Sequence, residues 1–362
     1  MHSTHSRRDH IHGMLLGVAI GEALGYARRG LPRRTALKLY GKKPLKYGFL
    51  PKRGVYGDIT RLTFLNAQAL LNSRSDLRGF RSAFNWRMGW YLLSLPYGCP
   101  GPVYMSAAKS WLRRFKVKSG VRSCNCSANG RAVFAALGMH GTGHRIPKWV
   151  EESTKLTNTH PLALECCKVL GVAGEYGATT DKGELDNQQL IDSLLDVVES
   201  TRISDKLKAL PEFLEQGRSP RAVAREFGWK HKVPDHVVPV TIMSLYCWLR
   251  YPTDFLKAVE SAIMLGGASA SLGATTGALF GAHSGQDAIP EKLEDQLLGT
   301  PHGADWIEDL AERFSHWPHG ADDLHLAPAQ ISDPPVQFMR NVLTFPIGLG
   351  HVVYKYTVRF VK

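Results

Sequence analysis

Along most of the chain, apolar residues recur three or four positions apart rather than in alternation. Leu190, Ile191, Leu194, Leu195, Val197 and Val198 share one helical face, and Asp192, Asp196 and Glu199 take the other. The same period predicts helices over Val238 to Leu249 and Phe255 to Leu265. They are separated by Tyr251-Pro252-Thr253, where Thr253 or Asp254 can cap the second. Further helices are predicted over 12–25, 60–72, 104–117, 130–139, 161–173, 205–215, 219–227, 272–283, 292–298 and 304–315. No set of alternating strands suffices for a central sheet, so the pattern predicts an all-α protein.

Breaks fall at Pro96 to Pro102, at Gly141 to Pro147 and from Pro318 to Pro335. They suggest a tail over 1–10, a helical domain over 11–300 and an extension over 301–362 with its linker at 318–335. Beyond that linker, Phe338 to Lys362 mixes apolar and basic residues, which fits an edge strand or an amphipathic surface segment. Two glycine- and alanine-rich helices stand apart, Gly13 to Gly25 and Gly266 to Gly281. Small residues let backbones approach closely, which suits the middle of a bundle, where a site can form between facing helices.

With 362 residues, 44% of them apolar, the chain can bury a substantial core, which excludes global disorder. Charge is unevenly spread. Residues 1–150 carry 26 Lys/Arg against four acids, a balance of +22, and residues 151–362 a balance of −9. No carboxylate occurs between Asp76 and Glu151. Such a field faces phosphate or the chain's own acidic half. Lys109, Arg113, Arg114, Lys116, Lys118 and Arg122, with Trp111 and Phe115, would also suit a basic nucleic-acid-binding module.

Six cysteines are too sparse for a disulfide scaffold, and neither Cys124-Asn-Cys126 nor Cys166-Cys167 has the gap of a zinc half-site. Reduced thiols and a cytoplasmic location are expected. Arg7-Arg8 followed by Met14 to Leu24 imitates a signal peptide, but Glu22 interrupts its apolar run. No run reaches the roughly 18 apolar residues of a membrane span.

Four stretches have the chemistry of a site. Glu22 lies inside a small-residue helix, where a buried carboxylate is either paired or functional. Asp58 and Thr60 open a helix, and capping competes with catalysis as their role. His160, in Thr159-His160-Pro161, stands at another helix entrance as either a hydrogen-bonded structural residue or an acid-base group. Gly266-Gly267-Ala268-Ser269-Ala270-Ser271 is a glycine turn with two hydroxyls before a helix, whose free N–H groups would suit phosphate.

In order and spacing these stretches resemble the ADP-ribosylglycohydrolase family. Gly13-Met-Leu-Leu-Gly-Val-Ala-Ile-Gly-Glu-Ala-Leu-Gly25 is similar to the family's opening G-x-L-x-G-x-x-x-G-D-A-L-G. Gly57-Asp58-Ile59-Thr60 stands where the family has (S/T)-D-D-T. Ser127-Ala-Asn129-Gly130 resembles its S-N-G step, Thr159-His160-Pro161 its T-H-P step, and Gly266 to Ser271 its G-G-D-T-D-T. The resemblance runs from about residue 11 to 300 and implies a compact multi-helix fold acting on ADP-ribosyl bonds with two magnesium ions.

By that resemblance, metal ligands would come from the first motif, the second motif and a glutamate just beyond the opening. Here those positions are Gly57, Asp58 and Ile59; Ala268, Ala270 and Ser271; and a place on or near Arg29. Too few carboxylates remain for a hard dication, so the dimagnesium site is expected to be lost. The expected protein binds ADP-ribose or a related nucleotide through Arg29, Thr60, Arg61, Asn129, Gly130, Gly266, Gly267, Ser269 and Ser271. It is either a pseudoenzyme or a metal-independent catalyst using Glu22, Asp58 and His160. An active hydrolase that cleaves ADP-ribose from a modified protein is the alternative the resemblance leaves open.

Overall fold

Glycine returns every fourth residue at positions 13, 17, 21 and 25, and again at 273, 277, 281 and 285. On a helix that spacing aligns the glycines in a stripe. The computed structural model describes residues 7–73, 76–94, 96, 98–112, 117–180, 185–299, 301–317 and 334–360. In it the helices Arg7–Tyr26 and Ser269–Ser284 run antiparallel with their stripes in contact. A Cβ on Gly17 would overlap the Gly277 carbonyl, and one on Gly21 the carbonyl of Gly273. Two helices of small residues therefore meet backbone to backbone, and both are buried over almost their whole length.

Helices Phe255–Ile263, Val237–Arg250, Pro161–Thr179, Asn129–Met139 and Asp58–Leu71 surround this pair. Buried Trp248, Tyr246, Phe64, Phe134 and Phe280 fill the space between them. Ala304–His316 packs on the first helix, where Arg8 pairs with Glu308 and Glu312 and Phe314 meets Phe134 edge to face at 4.9 Å. Among the described residues there is no strand, only isolated bridges such as Pro32 with Gly266 and Val233 with Gly267. The all-α expectation therefore holds.

Among the described residues, three helices before the final one escape the periodic pattern. Leu77–Leu93 buries Phe80, Phe84, Met88 and Tyr91 yet exposes Trp86 and Leu93, so apolar residues on both faces blur the period. Ile146–Lys155 holds Pro147 in its first turn, where proline starts a helix rather than breaking one. Arg33–Tyr40 is short and rich in charge. The segment predicted as one helix over 205–215 divides into Thr201–Lys208 and Leu210–Glu215, with Pro211 opening the second.

The final segment is a helix, Pro334–Phe360, which corrects the edge-strand alternative: no strand among the described residues offers it an edge. Pro334 and Pro335 of the predicted linker open this helix, and residues 318–333 lie outside the described residues, as do 113–116 of the basic stretch. No described helix is long and apolar enough to cross a membrane.

Candidate functional site

Helix Asp58–Leu71 begins after Gly57 with no side-chain cap of its own. Glu22 of the central pair supplies one: its Oε1 accepts the Ile59 N–H at 3.2 Å and its Oε2 the Thr60 N–H at 2.9 Å. A carboxylate at a helix N-terminus satisfies otherwise unpaired donors and the positive end of the helix dipole. Gly57 makes this possible, because a Cβ there would lie 2.7 Å from Glu22 Oε1 and 2.8 Å from Tyr26 Cε2. Thr60 Oγ1 donates to the Val18 carbonyl at 3.3 Å, fastening the helix to the central pair.

Asp58 projects from this first turn and is only 4% exposed. Facing it is Arg29, three residues beyond the end of the first helix. Its Nη1 donates to the Gly98 carbonyl at 2.7 Å and lies 3.7 Å from Asp58 Oδ1, while Nη2 lies 3.5 Å from Asp235 Oδ2. Asp235 in turn accepts the Ser271 hydroxyl at 2.9 Å. A line of groups thus runs from Ser271 through Asp235 and Arg29 to Asp58, with Glu22 in the helix turn behind. Buried Arg61 adds a second cation from the same helix as Asp58, close to Tyr91 and Cys99.

Burial pushes the Glu22 carboxyl up to about 7, Asp58 adding to the shift and the Thr60 and Ile59 hydrogen bonds opposing it. Burial also lifts Asp58 above its ordinary value, and Arg29 pulls it back. Burial lowers Arg29, but Asp58 and then Asp235 outweigh it and hold the guanidinium above its usual value. The cation is fixed, and Glu22 and Asp58 both hold their protons above the ordinary carboxylate range.

The structure brings Glu22, Asp58, Thr60, Arg29, Arg61 and Ser271 to one end of the central helix pair, and gives the other expected residues packing or capping partners. The N–H groups of Gly266, Gly267 and Ala268 donate to Ile263, Leu31 and Val233 carbonyls, so they are not free for phosphate. Ser269 is fully buried, its hydroxyl on the Ile263 carbonyl. Gly130 is a packing glycine whose Cβ would overlap the Thr63 hydroxyl. Asn129 is buried against Thr275 at 3.1 Å. His160 caps its own helix, Nδ1 accepting the Leu162 N–H at 3.2 Å, and no hydrogen bond joins it to Glu22 or Asp58.

Asp235 escaped the sequence reading. It precedes a helix, where an aspartate reads as a cap, but His236 takes that role through the Val238 N–H and leaves Asp235 to the site. The final helix was also unforeseen here. Lys355 Nζ donates to the Arg29 carbonyl at 3.1 Å, and a cavity of about 330 Å³ opens between Tyr26, Arg29, Phe49, Gly98, Leu349 and Lys355. His351 stacks on Phe49 with centroids 5.0 Å apart.

The donor set does not fit the magnesium pair that the family resemblance implies. Ala268, Ala270 and Ile59 are buried apolar groups, and Gly57 has no hydroxyl. Asp58 and Asp235 share the Arg29 guanidinium with Arg61 nearby, and Glu22 is taken up by two amides, so little carboxylate charge is left over for a pair of dications.

A glycine-paired helical body with buried carboxylates gathered around an arginine at one end makes this an all-α protein with a candidate site between helices. The sequence model of the family described as ADP-ribosylglycohydrolase matches residues 3–323, and the chain belongs to that family. An uncharacterised protein of Archaeoglobus fulgidus is 24% identical over 308 residues, 83% of this chain and 94% of the relative. A solved structure described as an ADP-ribosylglycohydrolase-related protein complex matches with a TM-score of 0.62 and 18% identity, over 86% of this chain and 98% of that one.

Proposed function

We propose that the protein binds an ADP-ribosyl or related phosphorylated ligand at the Arg29 end of the central helix pair without a dimagnesium centre. Family membership supports the ligand class. One observation carries the metal-free part: the Arg29 guanidinium stands between Asp58 and Asp235. A planar fork of donors suits phosphate and ribose hydroxyls as well as carboxylates. With Asp58 held by Arg29 and Glu22 held by two amides, the arrangement favours a ligand-binding protein over a metal-driven hydrolase. An ADP-ribosylated protein is the natural carrier of such a ligand. A thermal-shift titration with ADP-ribose in EDTA tests this: the melting temperature rises, and an unchanged melt up to millimolar ligand defeats the reading.

A second reading is favoured by one observation, the Glu22 carboxyl near neutrality beside Asp58. Two neighbouring buried carboxyls with raised proton affinity suit acid-base cleavage of a glycosidic bond. Release of ADP-ribose from a modified peptide in EDTA, lost in Asp58→Asn, would support it.

A further inference from the structure

The final helix is amphipathic in the inverted sense. Its polar residues face the protein: Gln337, Arg340, Asn341 and Thr344 are buried. Asn341 Nδ2 donates to the Ser94 carbonyl at 2.6 Å and its Oδ1 accepts from Arg340 Nη2 at 2.8 Å, while His351 Nε2 lies 2.9 Å from the Phe49 carbonyl. The opposite side carries Phe338, Met339, Val342, Leu343, Leu349 and Val353, each more than a third exposed and Leu343 69%. An apolar stripe of this length turned to water marks an interaction surface.

Charge names the partner. Pro334 to Lys362 contains no Asp or Glu. The helix Leu77–Leu93, on which this helix rests through Ser94, belongs to the carboxylate-free stretch between Asp76 and Glu151, and it also exposes Trp86 and Leu93. A second copy of the chain would set this acid-free surface, with the exposed Arg78 of Leu77–Leu93, against itself, whereas an anionic bilayer supplies both an apolar bed and a counter-charge. We propose that the outer face of Pro334–Phe360 lies in the surface plane of an anionic lipid bilayer, holding the body against the membrane without crossing it. The assignment is independent of what the Arg29 site binds.

Flotation of the full chain with vesicles tests it, comparing phosphatidylcholine alone with a phosphatidylcholine–phosphatidylglycerol mixture. The native chain floats with the anionic vesicles, and recovery falls by about tenfold in neutral vesicles or at high salt. Leu343→Glu/Val353→Glu abolishes flotation while its melting temperature stays native, since both side chains face solvent. Equal recovery of native and variant chains overturns the proposal. So does a dimer of the native chain that the same variant dissociates in the absence of lipid.

Discussion

The Arg29 guanidinium lies 3.7 Å from Asp58, a carboxylate only 4% exposed, and its other nitrogen lies 3.5 Å from Asp235. One fixed positive charge thereby joins the loop after the first helix, the first turn of Asp58–Leu71 and the segment before Val237–Arg250. Removing it strands a buried carboxylate beside a second one. Arg29→Ala should therefore cost about 1–3 kcal/mol in urea denaturation. Arg29→Lys should recover only part of this, because a lysine lacks the fork that reaches Asp58, Asp235 and the Gly98 carbonyl together.

Glu22 gives the fold a pH dependence. Its folded value is raised to about 7 from 4.5, so between those values the folded state holds a proton that the unfolded state has released. Stability is then fully present below about pH 4.5 and declines as pH rises through 7, by on the order of 3 kcal/mol. In Glu22→Gln the amide oxygen still accepts from one or both of Ile59 and Thr60, but the titration is gone. Denaturation between pH 4.5 and 7.5 should show a slope in the native chain and a flatter profile in the variant.

Gly57 holds the position where the family resemblance places a metal-binding hydroxyl. Restoring it does not restore a site, because the new Cβ would lie 2.7 Å from Glu22 Oε1. Gly57→Ser should lower the melting temperature, costing about 1–3 kcal/mol, and should give no stabilisation by magnesium. A magnesium-stabilised Gly57→Ser would show that the helix entrance yields more readily than its packing indicates.

The central helix pair tolerates no side chain at its crossing. Gly277→Ala places a methyl on the Gly17 carbonyl and should destabilise by at least about 3 kcal/mol, measurable by denaturation or as loss of soluble protein. Gly299→Ala serves as the control, since nothing lies within 4 Å of its added carbon.

Much of this was written in the sequence. The helical period locates most of the helices, glycine and alanine content marks two helices for the middle of a bundle, and the motifs single out Glu22, Asp58 and Arg29. What remained illegible depends on partners distant in sequence. The amides of Gly267 and Ala268 read as free phosphate donors until Leu31 and Val233 supply their acceptors. Asp235 belongs to no motif, and only its contacts with Ser271 and Arg29 bring it to the site. The last helix reads as a strand or a surface segment because its pattern is inverted, with the polar side chains buried. Local periodicity reports which face differs, and tertiary contact decides which face turns inward.

The central claim is that Arg29 stands in place of the cations. The most direct test is calorimetric titration of ADP-ribose into the full chain, once with excess EDTA and once with millimolar magnesium, repeated with Arg29→Ala. The account predicts the same affinity in both buffers for the native chain and a loss of about tenfold or more on removing Arg29. Binding that appears only with magnesium, or that survives Arg29→Ala unchanged, would contradict it.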